Sequence, residues 1–213
     1  MFLNRVDAGK QLAAALIKYQ DSSPIILAVS DGGVPVGVEI AKRLQAQFSL
    51  IIVQKLPYPG DNNYEIGALA EDNSMFLLPA AASTLTLEMI KSIVAEQRKE
   101  ITRRKKILRN GQPLPNINQK VVILVCDGIA LGSVIYAAIY LCRKNNPGKL
   151  VVASPVSSPE VARSLTELSD VHETIILKEP KFFQQVSEVY EDWQEIPEYE
   201  VLDILMHWHR DYD

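Results

Sequence analysis

Cysteine and histidine are scarce in this sequence. Only 2 of its 213 residues are cysteine. Cys126 and Cys142 fall in a predicted strand end and a predicted helix, so we expect no disulfide framework. Two of the 3 histidines, His207 and His209, stand two residues apart. Residues at that spacing point away from each other on a helix, so we predict no metal site there.

Long apolar runs and an excess of basic residues are also missing. No apolar run approaches the roughly 20 residues of a membrane span. The first seven residues lack the charged flank and apolar core of a signal peptide. The net charge is −4, whereas nucleic-acid-binding domains are usually basic. We therefore expect a cytoplasmic protein with neither a membrane nor a nucleic acid as its partner.

The sequence does contain enough apolar material for one globular domain with an appendage, since 47% of its residues are hydrophobic and 23% are charged. Continuous apolar segments predict strands at 25–29, 50–53, 121–125, 150–153 and 174–177. Helical periodicity predicts helices at 7–19, with Asp7 as N-cap, and at 35–44, 87–108, 133–144 and 159–168. This alternation predicts a three-layer α/β protein with a mostly parallel sheet.

One segment carries most of the functional information. The apolar strand 121–125 ends at Asp127, Gly128 and Gly132 bracket a tight turn, and Ser133 stands where a helix begins. Free backbone N–H groups and the helix dipole make such a turn an anion cradle. A carboxylate at its rim can accept hydrogen bonds from hydroxyl groups. The pattern therefore favours a phosphorylated sugar as the ligand.

The same segment resembles the loop that binds 5-phosphoribosyl 1-pyrophosphate (PRPP) in type I phosphoribosyltransferases. That loop has two acidic residues followed by a turn containing Thr-Gly and usually a second Thr. The positions that agree are Asp127, Gly128, Ile129, Ala130 and Gly132. The positions that depart are Cys126 for the first acidic residue, Leu131 for the first Thr and Val134 for the second.

Other segments extend the resemblance over nearly the whole chain. Gly32-Gly33-Val34-Pro35 is similar to the family's pyrophosphate loop, although Asp31 replaces the arginine that usually precedes the two glycines. Further matches are Lys55-Leu-Pro, Glu65-Ile-Gly-Ala, the Arg-Arg run before Gly111-Gln-Pro, and Lys178-Glu-Pro-Lys-Phe-Phe. The resemblance implies a twisted sheet of the phosphoribosyltransferase type. Its core would be at about 20–54 and 117–178, with a long insertion at 55–116 and a small C-terminal hood at 179–213.

The resemblance also implies an activity, the transfer of 5-phosphoribose from PRPP to a nitrogenous base with release of pyrophosphate. Asp127 would be the catalytic residue that holds a ribose hydroxyl. Lys55, with Gly32 and Gly33, would face the pyrophosphate, and Mg²⁺ would accompany PRPP when it is bound. The 5′-phosphate would be cradled by Gly128, Ile129, Ala130, Leu131, Gly132 and Ser133.

The departures at Asp31, Cys126 and Leu131 leave a second hypothesis open. They remove side chains that would bind PRPP, which favours a catalytically inactive relative that binds a phosphorylated metabolite or a protein partner through the same cleft. Cys126 is either a nucleophile activated by a helix N-terminus or a packed thiol. No histidine is placed to activate it, which favours the packed thiol.

The predicted helix 87–108 and its flank are basic, whereas the segment after Val186 is acidic. The basic region is expected either to be a solvated face or to dock on the acidic segment of the same chain or of a second subunit in a homodimer.

Overall fold

A computed structural model describes residues 1–212, with the backbone alone at Asn62; residue 213, the last of the predicted hood, lies outside the described residues. The strands are β1 (Ile25–Ala28), β2 (Gln47–Leu50), β3 (Val53–Tyr58), β4 (Asp61–Ala70), β5 (Met75–Leu77), β6 (Val121–Val125), β7 (Lys149–Val156) and β8 (Glu173–Lys178). The α-helices are α1 (Arg5–Ala15), α2 (Gly33–Leu44), α3 (Pro79–Ala82), α4 (Leu87–Arg109), α5 (Ser133–Lys144), α6 (Pro159–Glu167) and α7 (Glu198–Tyr212). Short 3₁₀ helices occupy Ile17–Ser22 and Val186–Val189.

The main sheet has five parallel strands in the order β2-β1-β6-β7-β8. Alternate residues of β6 face opposite sides. Ile123 belongs to the same buried cluster as Leu12 of α1 and Ile40 of α2, whereas Leu124 belongs to a second cluster with Ala138 of α5 and Leu165 of α6. Because both faces are covered, the strands read as continuous apolar runs. The predicted three-layer α/β class with a mostly parallel sheet is confirmed.

The third predicted strand is displaced from the observed one. We expected a strand at 50–53, but β2 occupies Gln47–Leu50 and Val53 already begins β3. Polar Gln47 and Ser49 belong to β2 because an edge strand needs to bury only part of its surface, whereas Ile51 and Ile52 are buried in the connection.

The predicted insertion contains a second sheet, which the sequence patterns did not indicate. Strands β3, β4 and β5 pair antiparallel in that order. The long helix α4 matches its prediction almost to the residue, since Thr86 caps its N-terminus and Asn110 ends it in the left-handed region at φ 49°. The insertion therefore has a sheet and a helix of its own beside the main sheet.

The N-terminal helix starts earlier than predicted. Asn4, not Asp7, is the N-cap, and its side chain accepts a hydrogen bond from the Asp7 N–H at 3.0 Å. Asp7 lies in the first turn and accepts a hydrogen bond from the Leu3 N–H at 3.0 Å. The sequence cannot distinguish Asn4 from Asp7 as the N-cap, because Asn and Asp side chains both accept hydrogen bonds from the free amides of a helix's first turn. Tyr19 belongs to the following 3₁₀ helix.

The C-terminal segment divides into two parts. Residues 186–196 run past the start of the chain, where the Phe2 N–H donates to the Val189 carbonyl at 2.7 Å. Helix α7 instead packs near the edge strand β2 of the main sheet, where the rings of Trp208 and Phe48 have a centroid distance of 5.5 Å. Within residues 1–212, none of the helices has the length and apolarity needed to cross a membrane.

Candidate functional site

Two loops meet at the carboxyl edge of the main sheet. Ser30–Gly33 follows β1, Asp127 follows the neighbouring β6, and together they border a cleft of about 400 Å³. Ligands of open parallel sheets bind at this edge, in clefts of this size. The other lining side chains come from α1, β3, α4, α5 and the C-terminal segment and include Arg5, Lys55, Arg104, Val134, Trp193 and Glu195.

The two loops are in direct contact at Gly32 and Asp127. A Cβ atom on Gly32 would lie 1.8 Å from the Asp127 Oδ2 atom, and one on Gly33 would lie 2.8 Å from the Val125 carbonyl oxygen. No side chain fits at either position without moving these groups. The paired glycines therefore allow the first loop to approach the strand end that carries Asp127.

Asp127 is buried and is held by Arg5 of helix α1. The Arg5 Nε atom donates to Asp127 Oδ2 at 2.9 Å, and the Ser30 hydroxyl donates to Asp127 Oδ1 at the longer distance of 3.4 Å. Burial raises the pKa of Asp127, and the Arg5 guanidinium opposes that rise. One carboxylate oxygen is thus committed to Arg5, while the other has only the weak contact with Ser30.

Arg5 is a site residue that sequence reasoning missed. Besides Asp127, its guanidinium donates to the Gln194 carbonyl at 2.7 Å and lies 3.9 Å from the Trp193 ring centroid. Tyr190 completes the group, because its hydroxyl donates to the Asp127 backbone carbonyl at 2.6 Å. Arg5 follows no glycine loop, and its partners are more than a hundred residues away in the chain, so no local motif could have identified it.

The second loop is partly fixed by the neighbouring strand. The Ile129 N–H donates to the Val156 carbonyl at 2.9 Å, so this predicted cradle amide is already used. Gly132 adopts φ +83°, which favours glycine, and leads into α5. The backbone N–H groups of residues 130–133 donate to no atom within the described part of the chain. Four amides at the start of a helix are therefore available to an anion.

Two predicted binding residues, Lys55 and Ser133, share the same partner. The Lys55 Nζ atom lies 2.9 Å from one carboxylate oxygen of Glu65, and the Ser133 hydroxyl donates to the other. The Glu65 side chain is only 8% exposed, whereas that of Lys55 is 69% exposed. Glu65 therefore links the insertion to the start of α5, a link that the Glu65-Ile-Gly-Ala match did not explain.

Asp31 pairs with an arginine from the insertion. The Arg104 Nη2 atom donates to Asp31 Oδ1, and the Arg104 Nε atom lies 3.3 Å from the Glu198 carboxylate. Arg103 beside it donates two hydrogen bonds, of 2.8 and 2.7 Å, to the same Glu198. Of the two alternatives left open for the basic helix, the structure shows the contact with the acidic C-terminal segment, within one chain.

The positions that depart from the PRPP-loop pattern have different surroundings. Cys126 is buried, and desolvation raises the pKa of its thiol to about 12, while a hydrogen bond from Ser154 opposes the rise. A thiol with that pKa is protonated near neutral pH, which argues against a nucleophile. Leu131 is 58% exposed at the turn, and Val134 lines the cleft.

A bound metal ion would need oxygen or nitrogen ligands that the cleft has largely committed elsewhere. Asp31 and Asp127 each pair with an arginine. No cluster of three or more His, Cys, Asp or Glu side chains suited to a metal ion occurs among the described residues. A Mg²⁺ ion in this cleft would therefore have to be held chiefly by a ligand's phosphate oxygens and water, rather than by a protein cage.

Comparisons with known proteins identify proteins that are similar to this chain in sequence. No family model matches it. Two Mycobacterium tuberculosis proteins, from strains CDC 1551 and H37Rv and both named "Putative phosphoribosyl transferase", are 29% identical to it over 214 residues. The match takes in 100% of this chain but 48% of each relative, so the chain spans about half the length of these curated relatives.

Two solved structures resemble the fold. The crystal structure of TT1426 from Thermus thermophilus is 31% identical, with a TM-score of 0.79 over 98% of this chain and 99% of that one. The purine phosphoribosyltransferase from Pyrococcus horikoshii Ot3 is 16% identical, with a TM-score of 0.50 over 92% and 95%. The second likeness shows the fold alone. With these relatives, the chain belongs to the phosphoribosyltransferase family.

Proposed function

We propose that this protein binds PRPP in the cleft between its two loops and transfers 5-phosphoribose to a nitrogenous base, releasing pyrophosphate. The observation that carries the proposal is the contact of the two loops at Gly32 and Asp127, which brings a carboxylate and three cationic side chains to one cleft, and Val134 of helix α5 lines the same cleft. A phosphorylated sugar with a second, pyrophosphate anion presents matching groups to this cleft.

The 5′-phosphate would bind at the start of α5. The amides of residues 130–133 donate to no atom among the described residues, and the dipole of α5 favours negative charge there. Ser133 is held by Glu65, so the backbone supplies this contact more readily than the side chain does. Leu131 adds no hydrogen bond, although its exposed position faces solvent without steric obstruction.

The ribose hydroxyls would bind at Asp127. Arg5 takes one carboxylate oxygen at 2.9 Å, whereas the other is contacted only by Ser30 at 3.4 Å, and this second oxygen can accept a hydroxyl. The Arg5 contacts with Trp193 and Gln194 fix the carboxylate's position. A carboxylate held in place near the ribose stabilises positive charge that develops on the sugar ring.

In the proposed reaction, the bond between ribose carbon 1 and the pyrophosphate oxygen breaks, and its electron pair leaves with the pyrophosphate. A ring nitrogen of the base forms the new bond to carbon 1 and loses its proton to solvent. Mg²⁺ bound to PRPP would neutralise charge on the leaving group. The contribution of the chain is positioning of the two reactants and electrostatic stabilisation, since the reaction requires no covalent intermediate with the protein.

A second candidate function is binding of a phosphorylated metabolite without transfer. The observation that favours it is Cys126, a buried thiol with a raised pKa at a position next to Asp127, where a second carboxylate would strengthen the grip on the ribose. Losing one charge-assisted hydrogen bond costs about 1.5–3 kcal/mol, or roughly 10- to 150-fold in affinity. Such a loss weakens a site without removing it.

A thermal-shift titration with PRPP and Mg²⁺, followed by a pyrophosphate-release assay with adenine, hypoxanthine, guanine and uracil, tests the proposal. Stabilisation by PRPP with base-dependent release supports transfer. Stabilisation without release from any base supports the binding function instead. Absence of any shift at millimolar PRPP contradicts transfer from PRPP.

The variant Leu131→Thr tests whether PRPP affinity can be increased. Leu131 is exposed, and in the proposed binding mode a threonine hydroxyl at this position would face the phosphate. We expect a several-fold gain in PRPP affinity from one added hydrogen bond. Leu87→Thr is the matched control, since Leu87 is 66% exposed and lies outside the cleft. An equal affinity in both variants would show that the phosphate does not bind at residue 131.

A further inference from the structure

We infer that Arg104 of helix α4 is the residue that binds the pyrophosphate group of the ligand, and that Asp31 is the positioning residue that holds its guanidinium over the cleft. This inference rests on the proposed function, because it assigns the second anion of the same ligand. It is argued from the three cations that border the cleft, Arg5, Lys55 and Arg104.

Two of the three guanidinium nitrogens of Arg5 already donate within the protein. Its Nε donates to Asp127, its Nη1 donates to Gln194, and the Trp193 ring covers its face. Its residue is only 9% exposed. Arg5 is therefore committed to holding Asp127.

Lys55 presents one ammonium group on a flexible stem. Its side chain is 69% exposed and its Nζ atom is 2.9 Å from the buried Glu65 carboxylate. An exposed lysine paired with a carboxylate is a weak and flexible anion contact, because solvent screens the charge and no second donor fixes the geometry.

Arg104 differs from both. Its side chain is 13% exposed, so its position is fixed by packing, and it lines the cleft beside Asp31 and Gly32. Only Nη2 makes a hydrogen bond, to Asp31. Nε is buried and lies 3.3 Å from the Glu198 carboxylate, whereas Nη1 has no partner within residues 1–212. A fixed guanidinium whose Nη1 is unused in a cleft is suited to a phosphate group, which it can bind through a charge-assisted hydrogen bond.

Asp31 acquires a role from this arrangement. A free carboxylate in the first loop would repel a pyrophosphate, but its pairing with Arg104 cancels that charge and aims the guanidinium at the loop. Glu198 steadies the guanidinium from the other side, at 3.3 Å from Nε. The arginine that recognises the anion is thus supplied by the insertion, 73 positions away from the loop it serves.

Calorimetric titrations with inorganic pyrophosphate plus Mg²⁺ and, separately, with ribose 5-phosphate test the inference. The variants are Arg104→Gln, Arg104→Lys and the control Arg103→Gln. Arg103 is the neighbouring arginine, also pairs with Glu198, and does not line the cleft. Circular dichroism and thermal melts establish that each variant is folded.

We expect Arg104→Gln to weaken pyrophosphate binding by about 10- to 100-fold, the effect of one lost charge-assisted hydrogen bond. Ribose 5-phosphate affinity should change by less than about twofold, because its phosphate binds at α5. Arg103→Gln should leave both affinities unchanged. Arg104→Lys, which keeps the charge but not the planar guanidinium held by Asp31, should lose about 3- to 10-fold for pyrophosphate, and it decides the question if Arg104→Gln does not fold.

The inference is overturned if Arg104→Gln binds pyrophosphate as the wild type does, or if it loses both ligands equally, as a merely structural residue would. It is also overturned if the wild type binds ribose 5-phosphate but not pyrophosphate, an outcome that leaves the phosphate site of the proposed function intact. If the wild type binds neither ligand nor PRPP, the proposed function fails together with the inference.

Discussion

Replacing Arg5 by methionine tests how the buried carboxylate of the cleft is held. Methionine keeps much of the length and packing of arginine but removes the charge and its donors. Asp127 would remain buried beside Cys126 and the Tyr190 ring, with only the 3.4 Å contact from Ser30. Breaking a buried ion pair by removing one partner costs about 3–5 kcal/mol of unfolding free energy.

That figure agrees with the contacts that Arg5 makes. The 2.7 Å hydrogen bond to Gln194 and the 2.9 Å bond to Asp127 are charge-assisted, at about 1.5–3 kcal/mol each. The Trp193 ring at 3.9 Å contributes a further cation–π attraction of about 1 kcal/mol. Since methionine recovers part of the buried apolar contact, the net loss should lie within about 3–5 kcal/mol rather than at the sum.

A double-mutant cycle with Asp127→Asn separates the ion pair from simple packing. In the wild type, Asp127→Asn should destabilise the protein, because Arg5 loses its charged partner. In Arg5→Met, the same substitution should stabilise it, by about 1–3 kcal/mol, because it removes an unpaired buried charge. Urea unfolding at neutral pH measures all four proteins. If Asp127→Asn destabilises both backgrounds by the same amount, the two residues are not coupled and the assignment is refuted.

The pH dependence gives an independent check. Burial raises the pKa of Asp127 and Arg5 opposes that rise, so Arg5→Met should raise the pKa further. A carboxyl group whose pKa is raised in the folded state favours folding below its unfolded pKa, and this contribution is lost as pH rises through the folded pKa. The deficit of Arg5→Met relative to wild type should therefore grow from about pH 4 upward. In the double variant Arg5→Met/Asp127→Asn, the stability deficit should no longer increase with pH.

Three further outcomes are expected. Cys126 and Cys142 should resist thiol reagents in the native protein at about pH 8 and react only on unfolding, because burial raises the pKa of each thiol to about 12; fast labelling of the native protein would contradict this. Trp208→Ala should cost about 3–5 kcal/mol in urea unfolding because the ring is buried, and a loss below about 1 kcal/mol would be inconsistent with its packing. Gly32→Ala should cost about 1–3 kcal/mol, since its Cβ would displace the Asp127 carboxylate; wild-type stability would disprove the close contact.

The main sheet could be predicted because its strands are buried on both faces. Val121–Val125 and Ile25–Ala28 therefore appear as continuous apolar runs, and the helices between them keep one apolar face. The small sheet of the insertion could not be predicted in this way. Strand β3 contains Pro57 and shows little alternation of apolar and polar residues, and β4 begins with polar residues. The pairing of these strands therefore depends on their contacts with α4 and α5.

The loops of the candidate site could also be found in the sequence, because glycine loops after buried strands are local features. The charged partners could not. Asp127 is bound by Arg5, which lies 122 residues away in the chain. Asp31 is bound by Arg104 at a separation of 73 residues, and Ser133 by Glu65 at a separation of 68. Such partners follow only from the fold, and they change the interpretation of Asp31 from a repulsive residue to one half of an ion pair.

The measurement that tests the central claim most directly is a calorimetric titration of PRPP with Mg²⁺ into the wild type and into Asp127→Asn. The account predicts saturable one-to-one binding to the wild type. It predicts that Asp127→Asn, if folded, binds about 10- to 100-fold more weakly, because a charged acceptor for the ribose is lost. Saturable binding that is equally strong in both proteins, or no saturable heat from the wild type at millimolar PRPP, would contradict it.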